Sequence, residues 1–367
     1  MAENTELYVF PNIPAHPTFG RINWMNNFTI KTMKTVLAIT ICLFSFGWVN
    51  AQPVNAKEAN KQFGPKGTHR APFKKSSEVG LASVNLRFKT ATREYTEKRG
   101  AGSAVTWAFL EGVDSALFQE IADEYYIRLA DKLRENGWNA SDSYRTSKHY
   151  QGLVERSADR SRTTDSKNWG VAQVFTANNQ PYIEYPLMAT AAHAKMGNEQ
   201  GMPVGTILIT IDFADIVQKV SAHYPFALPH EIRTKQTSAK TTIVPMIRIE
   251  GVTSSQVFGG DGTYAKFVGG NWSYCNAMLA STPIYSQQAF ATEVESSKAF
   301  PESMKKIKSD VVSDLVSIFS RGTANSGRAG SEFMFVVQTD REKYRTATLD
   351  ALDRFNEYLV AYIKANN

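Results

Sequence analysis

An apolar repeat between residues 114 and 136 constrains the fold of this chain more than any other feature. An apolar residue recurs at every fourth position, at Leu117, Ile121, Tyr125, Leu129 and Leu133. This spacing places the side chains on one face of an amphipathic α-helix. Asp114 or Ser115 is a good N-cap, and Gly137 suits the left-handed position that follows a helix. The pattern predicts one long helix, which needs a broad apolar surface to pack against.

Short stretches with alternating apolar and polar residues or strong β-propensity, and one short apolar run at 333–338, predict the strands that supply this surface. They cover residues 79–89, 206–213, 241–250, 264–268 and 333–338. A charged loop is expected over 90–102. A Gly-rich hairpin turn is expected at 259–262, before the strand at 264–268.

Two further helices are expected at the C-terminal end, one from Pro301 and one after Asp340. The second shows the apolar stripe Leu352, Phe355, Leu359 and Ile363. The sequence thus predicts an α+β fold. A mixed, mainly antiparallel sheet is flanked by a long helix near the start of the folded part and by these two helices.

Residues 33–52 have the layout of a secretory signal peptide. Lys34 precedes an apolar run from Val36 to Val49, and small residues follow it. The run is interrupted and is shorter than the roughly 20 residues that span a bilayer. We therefore expect cleavage between Ala51 and Gln52, export to the periplasm or the extracellular space, and no transmembrane helix in the mature chain.

The signal peptide divides the chain into four predicted parts. Residues 1–32 have no n-region character and are interpreted as an upstream extension that arises from a mis-called start. Residues 33–51 are the signal peptide. Residues 52–77 are polar and basic and are expected to be a disordered spacer. Residues 78–367 are expected to form a single mixed α/β domain.

The net charge of +6 is concentrated in the predicted spacer. This segment holds the cations Lys57, Lys61, Lys66, Arg70, Lys74 and Lys75 against the single acid Glu58. A nucleic-acid-binding domain carries its basic face on the fold itself, so nucleic acid is not expected as a partner. The spacer is either a solvated linker or an attachment to an anionic envelope surface.

No motif in the sequence identifies a reaction. The chain has no phosphate-binding or dinucleotide-binding glycine loop, no Gly-x-Ser-x-Gly elbow and no zinc-protease spacing. His223 and His230 bracket a Pro-containing loop, and a metal site is not expected there or elsewhere. The catalytic residues remain unknown, and no cofactor is expected.

Two acids and one aromatic group are the remaining candidates for chemistry. Asp212 and Asp215 end a predicted strand, where acids are positioned for catalysis. The alternative has Asp215 capping a helix that begins near Ile216, with Asp212 facing solvent. Trp272, Tyr274 and Tyr264 are the predicted ligand-binding residues, since exposed aromatic rings stack on sugars or apolar ligands; buried, they belong to the sheet core.

These observations favour an exported envelope protein of a Gram-negative-type bacterium that binds a small ligand or an envelope component and is not an enzyme. One alternative is an exported hydrolase whose active site assembles from distant residues. Another is a soluble subunit of an outer-membrane assembly. The order of elements, though no motif, is similar to the periplasmic domain of curli-secretion-channel proteins, and no family is assigned. The sequence leaves the oligomeric state open.

Overall fold

The computed structural model describes residues 54–65, 72–74, 76–98, 102–157, 163–166, 170–182, 186–223, 236–251, 262–269, 274–297, 301, 304 and 330–366. All of them belong to one compact unit, Val54–Asn367. The predicted signal peptide, with Ala51 and Gln52, lies outside the described residues, as do residues 259–261 of the predicted turn at 259–262.

The described helices and strands alternate irregularly along the chain. The α-helices are α1 (Ala56–Gln62), α2 (Ser115–Glu135), α3 (Lys148–Ser157), α4 (Pro186–Gln200) and α5 (Arg341–Asn366). The strands are β1 (Phe63–Pro65), β2 (Glu78–Lys98), β3 (Gly102–Glu111), β4 (Asn139–Ala140), β5 (Thr163–Ser166), β6 (Gly170–Thr176), β7 (Val204–His223), β8 (Gln236–Ile249), β9 (Tyr264–Gly269), β10 (Tyr274–Ala280), β11 (Ile284–Tyr285), β12 (Ala291–Ser296) and β13 (Gly330–Thr339).

The strands form one mixed sheet with the order β1-β10-β9-β7-β2-β3-β13-β12. In addition, β6 pairs with β2, and β8 pairs with β7. The pairs β2–β7, β3–β13 and β2–β4 are parallel, and the other described pairs are antiparallel. The predicted α+β class with a mixed, mainly antiparallel sheet is therefore confirmed.

The centre of the sheet is a fork between its two longest strands. Residues 80–88 of β2 pair in parallel with residues 204–211 of β7. Beyond this point β2 continues along β3, and β7 continues along β8. A register shift follows Lys89 on β2, and another follows Asp212 on β7. Such bulges bend strands and redirect side chains, so they allow the two strands to separate here.

The fork corrects two predictions. The expected loop over 90–102 is instead strand as far as Lys98, because residues 91–98 hydrogen-bond to β3. Asp215 caps no helix, because it lies within β7 and pairs with Val244 of β8. In both places, pairing with a strand distant in sequence overrides the local pattern.

Helices α2 and α5 pack on one apolar face of the sheet. Helix α2 begins as predicted, because Asp114 Oδ1 accepts a hydrogen bond from the Leu117 amide at 2.9 Å. It ends at Glu135 with Asn136 as its C-cap. Gly137 follows with a φ of +95°, and the Trp138 amide donates to the Leu133 carbonyl at 3.0 Å. This is the Schellman arrangement that closes many helices.

Helix α5 also begins as predicted, after Asp340, whose Oδ1 accepts a hydrogen bond from the Lys343 amide at 2.9 Å. Its stripe of Leu352, Phe355, Leu359 and Ile363 is buried in the same core. The other predicted C-terminal helix lies almost wholly outside the described residues.

The N-terminal part of the predicted spacer is ordered, so the prediction of disorder is wrong for residues 54–65. Asn55 and Glu58 form a capping box that starts α1. Phe63 is fully buried, and its ring lies edge-on to Phe355 and Tyr362 at 5.7 and 5.6 Å. The burial of Phe63 and the capping box of Asn55 and Glu58 stabilise this segment despite its polar composition.

None of the helices in the described part of the chain is long and apolar enough to cross a membrane.

Candidate functional site

The sheet has two chemically different faces where β6, β2, β7 and β9 lie side by side. One face is apolar and carries the core under α2 and α5, with residues such as Leu86, Ile209 and Phe267. Side chains alternate along strands, and directly paired residues point to the same side. The opposite side, called the polar face below, holds Ser83, Asn85, Arg87, Lys89, Thr176, Thr206, Thr210, Asp212, Tyr264 and Lys266.

Every residue of the polar face is buried, with an exposed fraction of 6% or less. Helix α4 packs across β7 and β9 on this side, and His193 of α4 lies with its Nε2 3.1 Å from Thr206 Oγ1. At one end, a small apolar cluster that includes Ala82, Met196 and Val204 closes the layer. A sheet face with this composition normally contacts water, so its burial is the unusual feature of the molecule.

Several polar atoms on this side make no hydrogen bond in the described structure. They include Tyr264 OH, Thr210 Oγ1, Thr176 Oγ1 and His193 Nδ1. A buried polar group without a partner costs about 1–3 kcal/mol. The polar face therefore has unused capacity to bind a group that donates and accepts hydrogen bonds.

Both ionisable groups in this set are neutral near pH 7. Burial lowers the pKa of His193 to about 3, and the nearby Lys266 charge lowers it further in the same direction. Burial raises the pKa of Tyr264 well above its usual value, and the neighbouring Tyr182 adds to this effect. Neutral imidazole and phenol each combine donor and acceptor capacity.

The predicted aromatic site is only partly described. Tyr264 lies on the polar face, opposite Leu208 of β7, and is 6% exposed, so it is not the exposed stacking platform that was one expectation. Tyr274 begins β10 and pairs with Gly269, but its side chain is outside the description. Trp272 lies outside the described residues. A ligand role for the three together remains a prediction.

At the fork, the polar face ends in a group of four charged side chains and one threonine, called the fork cluster below: Lys89, Thr92, Asp212, Arg248 and Glu250. Lys89, Thr92 and Asp212 are buried, whereas Arg248 and Glu250 are partly exposed. Lys89 Nζ lies 3.1 Å from Asp212 Oδ2 and 2.6 Å from Glu250 Oε1. Asp212 Oδ2 also accepts hydrogen bonds from Thr92 Oγ1 at 3.2 Å and from Arg248 at 3.1 Å. Its Oδ1 accepts one from the Phe213 amide at 2.8 Å.

The two acids of the fork cluster have opposite pKa shifts. Burial alone would raise the pKa of Asp212, but Lys89 and Arg248 outweigh it and hold this pKa below its usual value. Burial raises the pKa of Glu250 to about 7, because the attraction of Lys89 only partly offsets it and the Asp212 charge adds to it. The lysine itself has a raised pKa, because the two acids outweigh its burial.

The fork cluster corrects the expectation that Asp212 faces solvent, since its side chain is fully buried. Its oxygens accept hydrogen bonds from three side chains and two backbone amides, which leaves little capacity to contact a substrate. Sequence reasoning missed Lys89 and Arg248 as its partners. The only sequence signal for this cluster is the alternation of Arg87 and Lys89 with Leu86 and Phe88. This alternation predicts a strand with one polar and one apolar side, but it does not predict which residues cover the polar side.

The histidines of the described residues form no metal site. His149 Nε2 lies 3.5 Å from Glu199 Oε1. Within the described ranges, no group of histidine, cysteine and acidic side chains is arranged to hold a metal ion. His230, one of the pair considered from the sequence, lies outside the description, so that pair is not tested.

Comparisons of this chain with protein-family models, with curated proteins and with solved structures find no match. The arguments about function therefore rest on the geometry of the polar face and the fork cluster.

Proposed function

We propose that this chain is an exported envelope protein of a Gram-negative-type bacterium that binds a small ligand and is not an enzyme. Export is supported by the layout of residues 33–52 in the sequence. Ligand binding is supported by one observation above all. Tyr264, Thr210, Thr176 and His193 present unpaired hydrogen-bonding atoms on a single buried side of the sheet.

A purely structural role explains this arrangement poorly. The opposite face shows that the same strands also carry apolar residues in closely packed positions. Threonine at a buried strand position can be replaced by valine of nearly the same shape, which removes the cost of the unpaired hydroxyl. Retention of several such groups on one side is expected if a bound molecule supplies their partners.

A hydrolase is the second candidate, and the fork cluster is the observation that favours it. Two neighbouring carboxyl groups whose environments move their pKa values apart are typical of acid–base catalysis. Glu250, with a side chain that is 20% exposed and a pKa of about 7, is the group suited to exchange protons with a substrate. We rank this function second because the Asp212 carboxylate already accepts hydrogen bonds from Lys89, Thr92 and Arg248.

The test is mass spectrometry of the protein purified from the envelope fraction of its host, under denaturing and native conditions. Under denaturing conditions we expect a chain that begins at Gln52. A chain that retains Met1 or Met33 and is found in the cytoplasm would contradict export.

Under native conditions we expect an additional mass of one small molecule that is lost on unfolding. Identical native and denatured masses would contradict ligand binding. Turnover of ester, amide or glycoside substrates that is abolished by Glu250→Gln would favour the hydrolase instead.

A further inference from the structure

The four groups named above share one chemical property, which is that each belongs to a neutral side chain. Three are hydroxyl groups, of Tyr264, Thr210 and Thr176, and the fourth is the Nδ1 of the neutral His193. A hydroxyl group can both donate and accept. The ligand group that satisfies any of these positions, without a fixed donor or acceptor assignment, is itself a hydroxyl.

The strand register gives the spacing of these groups. Thr176 is opposite Asn85, Asn85 is opposite Leu208, and Leu208 is opposite Tyr264, so these four residues form one row across the sheet. Three strand spacings separate the ends of the row by about 14 Å. Thr210 lies two residues further along β7 than Leu208. The set therefore spans more than one small group, and a molecule with several hydroxyls matches it.

The cations of the polar face argue against an anionic ligand. Lys89 is committed to Asp212 and Glu250. Arg87 and Lys266 also have interaction partners of their own. A carboxylate or phosphate is bound best by cations with open donors, whereas the four side chains on which this inference rests, Tyr264, Thr210, Thr176 and His193, are neutral.

We infer that the polar face binds a neutral, polyhydroxylated molecule, a saccharide or a polyol, through Tyr264, Thr210, Thr176 and His193. This inference rests on the proposed ligand-binding function and narrows its ligand class. Buried water molecules would satisfy the same atoms one at a time, so the experiment must distinguish a ligand from water.

The test measures thermal shift and calorimetric binding for the full mature chain, after unfolding and refolding to remove any bound molecule. The probes are a library of neutral mono- and oligosaccharides and polyols, with glucuronate and glucose 6-phosphate as anionic counterparts of glucose. We expect saturable binding of at least one neutral compound and no binding of the two anions.

Variants connect binding to the polar face. We expect Tyr264→Phe and Thr210→Val each to weaken binding about fivefold, the effect of one lost hydrogen bond. Tyr344→Phe is the matched control, because Tyr344 is also buried but packs against Phe118 and Phe290 on the apolar face. It should leave affinity unchanged.

Binding of the anions alone would overturn the inference, and so would binding of a neutral sugar that Tyr264→Phe and Thr210→Val do not weaken. If no sugar or polyol binds, the inference also fails. The proposed function is then tested separately by native mass spectrometry, which shows whether the protein purified from the envelope carries another small molecule.

Discussion

Replacement of Lys89 by methionine tests the fork cluster directly. The lysine side chain is 4% exposed and contacts two acids, Asp212 at 3.1 Å and Glu250 at 2.6 Å. Methionine keeps the length and the apolar stem but removes the charge. Asp212, which is fully buried, then loses one of its two cations and keeps only Arg248. Removal of one partner of a buried ion pair costs about 3–5 kcal/mol. Arg248 stays 3.1 Å from Asp212 and should keep the loss at the lower end of this range.

Urea unfolding measures this cost. A domain has a free energy of unfolding of about 5–15 kcal/mol, so Lys89→Met is expected to remove a large part of it and lower the midpoint at an unchanged slope. Adding Asp212→Asn to Lys89→Met should recover part of the lost free energy of unfolding, because the buried carboxylate that has lost Lys89 is then replaced by a neutral amide.

Arg134→Met is the control for the fork cluster. Its partner is Asp131, and the two side chains are 65% and 46% exposed, so the loss should stay below about 1 kcal/mol. A loss for Lys89→Met as small as that of the control would refute the reasoning.

Three further predictions concern single side chains. The pKa of Glu250 is about 7 when folded against an ordinary 4.5, so the folded state binds more protons and stability should fall as pH rises through this window. Glu250→Gln should reduce the loss of unfolding free energy between pH 5 and pH 8, by on the order of 2 kcal/mol in urea titrations. An equal loss in the variant and the original protein would contradict this prediction. Asp114→Ala should cost about 1 kcal/mol in the same assay, because the Leu117 amide loses its cap, whereas Asp114→Asn should cost much less. Tyr264→Phe should leave the ligand-free protein as stable or up to about 1 kcal/mol more stable, and a clear loss would reveal a hydrogen-bond partner of the hydroxyl.

Features coded by neighbouring residues could be predicted from the sequence. The start and end of α2 follow from Asp114 and Gly137, whose effects act within one helical turn. The start of α5 at Asp340 has the same origin. The α+β class follows from the contrast between these helical repeats and the alternating strands.

The fork could not be predicted, because it depends on pairing between distant segments. Residues 91–98 carry the charges of a loop but hydrogen-bond to β3. Asp215 has the local appearance of a helix cap but pairs with Val244. The order of residues 54–65 likewise depends on Phe63 reaching Phe355 almost three hundred positions later.

The burial of the polar face could not be predicted from the sequence either. Along β2, polar residues at Asn85 and Arg87 alternate with Leu86 and Phe88, the pattern of a strand with one side in water. The structure instead buries that side, and α4 packs on the same side of the sheet across the strands β7 and β9. A sequence pattern distinguishes two faces of a strand, but it does not show which face a later helix will cover.

The most direct measurement is a crystal structure of the protein purified from its host's envelope without refolding. The account predicts one connected molecule beside the polar face, hydrogen-bonded to Tyr264 OH and Thr210 Oγ1. Isolated water molecules at these atoms, or atoms paired with other parts of the chain, would contradict it.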